Sequence, residues 1–157
     1  MNLDILYQLF LQSTGVSTDT RKIDQGNLFF ALKGPNFNAN EFAAKALEMG
    51  ASAVVIDEAK YFVEDDERYF ICEDVLSTLQ QLSTYHRRKF TIPVIGLTGS
   101  NGKTTSKELL NAVLKQKFNT LATTGNLNNH IGVPLTLLRI KPEHEIAIIE
   151  MGANKQG

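Results

Sequence analysis

An apolar segment, Pro93-Val-Ile-Gly96, runs almost directly into Thr98-Gly-Ser-Asn-Gly-Lys-Thr-Thr105, and a helical pattern follows in which Leu109, Leu110, Val113, Leu114 and Phe118 are expected to face inward. A buried strand, a glycine-bearing loop and a helix, with a further short strand expected at Thr120–Ala122, make a β-α-β unit. Its two strands are expected to run parallel, joined by a right-handed crossover. In that setting successive backbone N–H groups and the helix N-terminus can wrap an anionic phosphate. Gly99 and Gly102 permit backbone shapes and a close approach that a Cβ forbids, Lys103 is placed to meet the phosphates, and the Thr104 hydroxyl to reach Mg²⁺. Ser100, Asn101 and Thr105 complete this nucleotide-binding set. The strict pattern Gly-x-x-x-x-Gly-Lys-Ser/Thr is not met, because its first glycine falls on Leu97, with Gly96 one residue early and Gly99 two residues late. The loop is therefore a variant, and a glycine-rich turn capping a helix is the plainer alternative.

Beyond it, Pro134 suits the first turn of a helix over Leu135–Leu138, and Glu145-Ile-Ala-Ile-Ile-Glu150 reads as a buried strand. Glu150 would then emerge at the carboxyl edge of a parallel sheet, where such sheets bind ligands, and could join Thr104 in holding Mg²⁺. A solvated strand-ending residue is the alternative. The stretch Thr123–Pro134 is either an ordinary turn or a loop that positions a substrate through Thr124, Asn126, Asn128 and Asn129, with His130 beside them. An open parallel sheet normally has more strands than the three visible here, so the chain reads as a fragment with its second domain cut off.

The first half carries its own α/β pattern. Leu3, Leu6, Tyr7, Phe10 and Leu11 recur with helical spacing and are expected to face a core. Leu28–Leu32, Ala53–Ile56 and Tyr69–Cys72 read as strands, Asn40 as the cap of a helix ending near Met49-Gly50, and Asp74 as the cap of a long helix. On that helix Val75, Leu76, Leu79, Leu82 and Tyr85 share one face, and it runs out in His86-Arg-Arg-Lys89. The domain boundary is placed there, giving domains 1–89 and 90–157. His86 and His144, beside charged residues, are expected at the surface. Asp19-Thr20-Arg21 offers a guanidinium suited to phosphate or carboxylate, although an exposed turn accounts for it as well.

Composition narrows the partners. With a net charge of -1, 43% hydrophobic and 21% charged residues, the chain has no global positive field, so nucleic acid is not expected and any phosphate affinity must be local. The single Cys72 allows no internal disulfide and is expected as a small core residue; no apolar run approaches the length of a membrane span, so a cytoplasmic protein without membrane insertion is expected.

The loop Thr98–Thr105 resembles the phosphate-loop variant of the Mur ligases, whose pattern lacks the first glycine. Asp19-Thr-Arg-Lys22 with Gly26-Asn-Leu-Phe-Phe-Ala-Leu-Lys-Gly34 resembles the signature of their UDP-binding N-terminal domain. Thr124–Leu138 and Glu150-Met-Gly-Ala-Asn154 resemble the MurF versions of the central-domain motifs. The resemblance covers essentially the whole chain and implies a small N-terminal α/β UDP-substrate domain followed by the start of a P-loop parallel-sheet ATPase domain. It also implies an ATP-dependent amide ligase using Mg²⁺, with Lys103 catalytic, Asp19, Thr20 and Arg21 on the UDP substrate, and Thr104 and Glu150 on the metal. The implied substrates are UDP-N-acetylmuramoyl-tripeptide and D-alanyl-D-alanine, the implied state is a monomer, and the fragment alone is expected to be inactive. A sister ligase adding the third amino acid, or a nucleotide- or UDP-substrate-binding module without catalysis, are the rival expectations; the Asn126–Asn129 run argues against the sister. One departure is visible: Asn38 and Asn40 stand where the family commonly has Asp and His.

Overall fold

The computed structural model describes residues 2–152, so residues 153 and 154 of the Glu150–Asn154 stretch lie outside the described residues. The chain divides into two compact units, residues 1–82 and 83–157. The division falls inside a helix, whereas the boundary at residue 89 follows that helix's end.

In the first unit, α1 (Leu3–Gln12) is capped by Asn2, whose Oδ1 accepts the Asp4 N–H at 2.9 Å. Leu6, Tyr7 and Phe10 are buried, but Leu11, expected on the same face, is 54% exposed. One residue past Phe10 is a turn of about 100° around a helix axis, enough to carry Leu11 off the inner stripe. The strands β1 (Gly15–Ser17), β2 (Asn27–Phe30), β5 (Ala53–Ile56) and β6 (Tyr69–Ile71) form a parallel sheet in the order β1-β2-β5-β6. Between β2 and β5 lie a short antiparallel hairpin, β3 (Lys33–Gly34) with β4 (Phe37–Asn38), and α2 (Ala43–Glu48). The two central strands are buried along their whole length, as the apolar runs Leu28–Phe30 and Ala53–Ile56 require, and the polar Asn27 is buried with them. Phe29, Val54, Ile56, Ala43, Ala46 and Leu47 make one core. Each large side chain there stabilises the fold by about 1.5–3 kcal/mol relative to exposure.

Asn40 is not a helix cap. Asn38 caps the 3₁₀ turn Ala39–Phe42, its Oδ1 accepting the Asn40 N–H at 3.1 Å. The Asn40 side chain, 1% exposed, instead donates to Asp57 Oδ1 at 2.9 Å and accepts the Asp57 N–H at 3.0 Å. Lys33 Nζ pairs with the same Asp57 carboxylate at 3.0 Å. Two amides thus complete a polar network in the interior, which is how a buried carboxylate avoids the cost of lost hydration. α3 (Val75–Arg87) begins after Asp74, which accepts the Ser77 N–H at 2.6 Å, and buries Val75, Leu79 and Leu82. Cys72, only partly buried, directs Sγ to the Ile56 carbonyl at 3.3 Å; burial pushes its thiol pKa up.

The second unit contains β7 (Val94–Leu97), α4 (Lys103–Leu114), β8 (Thr120–Ala122), α5 (Gly132–Leu137) and β9 (Ile146–Glu150). All three strands are parallel, but the order is β7-β9-β8. The expected β7–β8 pair is therefore separated by β9, whose every residue is buried. The most continuously apolar strand takes the centre, where both faces are covered. On α4 a further expectation fails: Leu109 and Val113 are 64% and 69% exposed, while Lys107, at 1%, faces inward. His86 is likewise not at the surface. It is 3% exposed, with Nε2 2.8 Å from the Ile140 carbonyl and its ring edge-on to Phe90 at 4.9 Å. Burial holds its pKa below the ordinary imidazole value, against the Ile140 carbonyl, which favours the charged form. His144 is half-buried, its Nδ1 accepting the Lys141 N–H at 2.9 Å. No helix among the described residues is long and apolar enough to cross a membrane.

Candidate functional site

β7 ends at Leu97 and α4 starts at Lys103, so Thr98–Gly102 must turn the chain sharply from strand to helix. Gly99 (φ +137°) and Gly102 (φ +78°) make that turn in the left-handed half of backbone space, which L side chains rarely adopt. A Cβ at either position would meet nothing within 4 Å, so conformation and not crowding demands glycine. Gly102 is the N-cap of α4 and makes no side-chain cap bond. The first-turn N–H groups of a helix have no intrahelical partner, and at this terminus they point toward the loop where an anion would sit. Ser100, Asn101, Thr104 and Thr105 are exposed around it. Lys103 folds back over the loop, Nζ donating to the Gly99 carbonyl at 2.6 Å.

The carboxyl end of β9 meets this loop. Thr104 Oγ1 lies 3.1 and 3.0 Å from Glu150 Oε1 and Oε2, a hydroxyl proton shared by the two carboxylate oxygens. Asn128 Nδ2 donates to Glu150 Oε1 at 2.8 Å, and the Gly152 N–H returns to the Asn128 carbonyl at 2.6 Å. Glu150 is 1% exposed. The Asn128 amide, the Thr104 hydroxyl and the charges of Lys107 and Lys103 hold its carboxyl below the usual range, and burial opposes them. Glu150 is thus a buried carboxylate with oxygen-bearing neighbours at a sheet edge, and not a solvated strand end.

The polar loop divides its labour. Asn129 Oδ1 accepts the N–H groups of Ile131 and Gly132 at 3.0 and 2.8 Å, supporting the start of α5. Gly132 packs against Leu127, whose backbone a Cβ would strike. Thr124 Oγ1 accepts from Arg139 Nη1 at 2.9 Å, and Asn126 is exposed beside the turn at Gly125 (φ +57°). Lys107 escaped sequence reasoning. Its only signal was its place one helical turn after Lys103, in line with Leu110 and Leu114, a position normally apolar.

In the first unit Asp19 grips Arg21 with two parallel bonds, Oδ1 to Nε at 2.9 Å and Oδ2 to Nη2 at 2.8 Å. Those bonds hold the Asp19 pKa at about 2. Thr18, Asp19, Thr20, Arg21 and Phe37 line an open cleft of about 520 Å³. The Arg21 side chain is 85% exposed, so the fork is oriented but accessible.

Residues 12–87 match the Mur ligase family, catalytic domain, and residues 97–157 the Mur ligase middle domain. The chain is 46% identical over 142 residues to the UDP-N-acetylmuramoyl-tripeptide--D-alanyl-D-alanine ligase of Escherichia coli (strain K12), covering 90% of this chain and 31% of that protein. A crystal structure of MurF from Acinetobacter baumannii superposes with a TM-score of 0.85 at 34% identity, over 99% of this chain and 36% of the other. MurF ligase from Thermotoga maritima, solved in complex with ADP, gives a TM-score of 0.81 at 33% identity, over 94% and 34%. The chain spans about a third of the length of the curated relatives it matches.

Proposed function

The chain belongs to the Mur ligase family, and from that premise we propose that it is the N-terminal part of an ATP-dependent ligase that joins D-alanyl-D-alanine to UDP-N-acetylmuramoyl-tripeptide. The observation that carries this reading is the meeting of the phosphate loop with Glu150 at one sheet edge, through Thr104 and Asn128. In the complete ligase the tripeptide carboxylate attacks the γ-phosphorus of ATP, ADP leaves, and the dipeptide amine then displaces phosphate from the acyl phosphate. This segment needs no nucleophilic side chain for that sequence; its work is positioning and electrostatic.

The N-terminus of α4 and the Gly99–Gly102 loop would hold the phosphates, and Lys103 would leave the Gly99 carbonyl to meet the transferring phosphoryl group. The donor set suits Mg²⁺, which favours hard oxygen ligands and is often held by one or two carboxylates plus substrate phosphates. Among the described residues no group of three His, Cys, Asp or Glu side chains could hold a metal. Thr104 and Glu150 would therefore hold the ion together with phosphate oxygens. When bound, it would neutralise charge on the phosphates. In the first domain, taken as residues 1–89, Asp19, Thr20 and Arg21 would take the UDP end of the substrate, with Arg21 on its phosphates. Thr124 and Asn126 would contact substrate directly, whereas Asn128 and Asn129 would act by shaping the loop. With such nucleotide-linked substrates the ligase would act in the cytoplasm, as a monomer.

Release of ADP by the complete ligase, measured with each amino substrate in turn, tests the proposal. Turnover should require both UDP-N-acetylmuramoyl-tripeptide and D-alanyl-D-alanine. Turnover with the UDP-dipeptide and a single amino acid would assign it to the sister ligase, and nucleotide binding without turnover would reduce it to a binding module.

A further inference from the structure

Lys107 is 1% exposed, yet it carries an ammonium. Removing such an ion from water costs several kcal/mol, and a leucine or methionine in its place would pack against the sheet without that cost. Its Nζ donates to the Thr123 carbonyl at 2.7 Å and lies 2.8 Å from Glu108 Oε1. The Glu108 side chain is 63% exposed, so this pair is screened and does not account for the burial.

Thr123, the other partner, is bonded on three sides. Its N–H donates to the Ile148 carbonyl at 3.0 Å, its Oγ1 accepts the Glu150 N–H at 2.9 Å, and its carbonyl takes the lysine. Thr123 follows directly after β8, and Glu150 ends β9. One continuous path therefore runs from α4 through the carboxyl end of β8 to the backbone of the residue that faces the phosphate loop. From the other side Thr104, three residues before Lys107 on the same helix, reaches the Glu150 carboxylate itself. α4 thus holds Glu150 at two points, by hydroxyl on the side chain and by ammonium, through Thr123, on the main chain.

We propose that Lys107 is a positioning residue for phosphoryl transfer, its buried ammonium fixing Thr123 and through it the direction in which Glu150 presents its carboxylate to the nucleotide site. The proposal rests on the reading of Thr104 and Glu150 as the metal-holding pair. The Lys107 ammonium is engaged by Thr123 and Glu108, so it would act on a ligand's support, as outer-shell partners of metal sites do.

The test compares Lys107→Met, which removes the donor, with Lys107→Gln, which keeps a donor without the charge, both in the complete ligase. Backbone amide exchange at Glu150, followed without nucleotide or metal, should quicken about tenfold in the methionine variant, the scale of one weakened hydrogen bond. Its kcat should fall about 10–100-fold, the usual cost of losing an outer-shell partner, with KM for the UDP-tripeptide unchanged. Lys107→Gln should recover the exchange protection and part of kcat. Wild-type exchange and kcat in Lys107→Met, a parallel rise in KM with a lowered melting temperature, or a glutamine variant no better than methionine would each overturn the proposal. Absence of turnover in the unmutated ligase would instead overturn the functional reading, and the exchange comparison would still decide the role of Lys107.

Discussion

Thr104 and Glu150 stand 46 residues apart in the chain, yet the hydroxyl of one lies 3.0 and 3.1 Å from the carboxylate oxygens of the other. The first sits in the opening turn of α4, the second at the last position of β9. Their meeting places a hydroxyl and an ionised carboxylate at the point toward which the first-turn N–H groups of α4 are aimed. Together they would offer hard oxygen ligands to Mg²⁺ arriving with the nucleotide.

Glu150→Gln keeps the shape of the side chain and the bond to Asn128 while removing the charge. In the complete ligase its loss of turnover should be partly restored at high Mg²⁺, and Thr104→Ala should behave alike because on the proposed reading it would act at the same ion. Mg²⁺ titration of initial rates is the measurement. Unaltered Mg²⁺ dependence in both variants would remove the pair from the metal site.

Lys103→Ala should fail differently. On the proposed reading the ammonium would act most strongly on the transferring phosphoryl group, so kcat should fall on the order of 10²–10³-fold while KM for the UDP-tripeptide stays near normal. High Mg²⁺ should not rescue it. Near-normal turnover would show that the Gly99-bound position of Lys103 is its working one.

The Asp19–Arg21 fork has a pH signature. Arg21 bonds lower the Asp19 pKa from its ordinary 3.8 to about 2, so the native state favours the ionised form. Its contribution to stability is therefore complete above the higher value and disappears as pH falls toward the lower one. Asp19→Asn should melt below the wild type at about pH 5, and the gap should close by about pH 2. Separately, Arg21→Ala should weaken UDP-substrate binding about tenfold or more, the scale of one charge-assisted hydrogen bond, as read by calorimetry.

Gly132→Ala should be destabilising although the residue is helical, because the new Cβ runs into the Leu127 backbone. Overpacking of this kind costs about 1–3 kcal/mol, to be read as a lowered urea midpoint at constant slope. A midpoint within error of the wild type would mean the loop from Gly125 to Asn129 yields freely.

The residues that make the elements were legible in the chain, because strand and helix signals are local. Apolar runs such as Val54–Ile56 and Ile146–Ile149 became buried strands, Asp74 became a cap, and the glycine loop fell between β7 and α4 as its spacing demanded. Glu150 was visible as a carboxylate at a strand end and Thr104 as its companion, though nothing in the sequence gave Asn128 as its other partner. The β3–β4 hairpin was not foreseen: two-residue strands are too short to display a period.

By itself, then, the sequence determined the parallel α/β character, the glycine-bearing loop between strand and helix and the acidic strand end, since each depends on residues within a few positions of one another. Only the tertiary structure decided that β9 enters between β7 and β8, that Lys107 and His86 turn inward while Leu109 and Val113 turn out, and that Asn128 serves Glu150. A helix with apolar residues around much of its girth has several faces that could be buried, and the choice among them is made by the neighbour it packs on. A buried cation is tolerated only where a distant chain segment supplies its acceptor, as Thr123 does for Lys107, and such long-range pairings leave no period in the sequence.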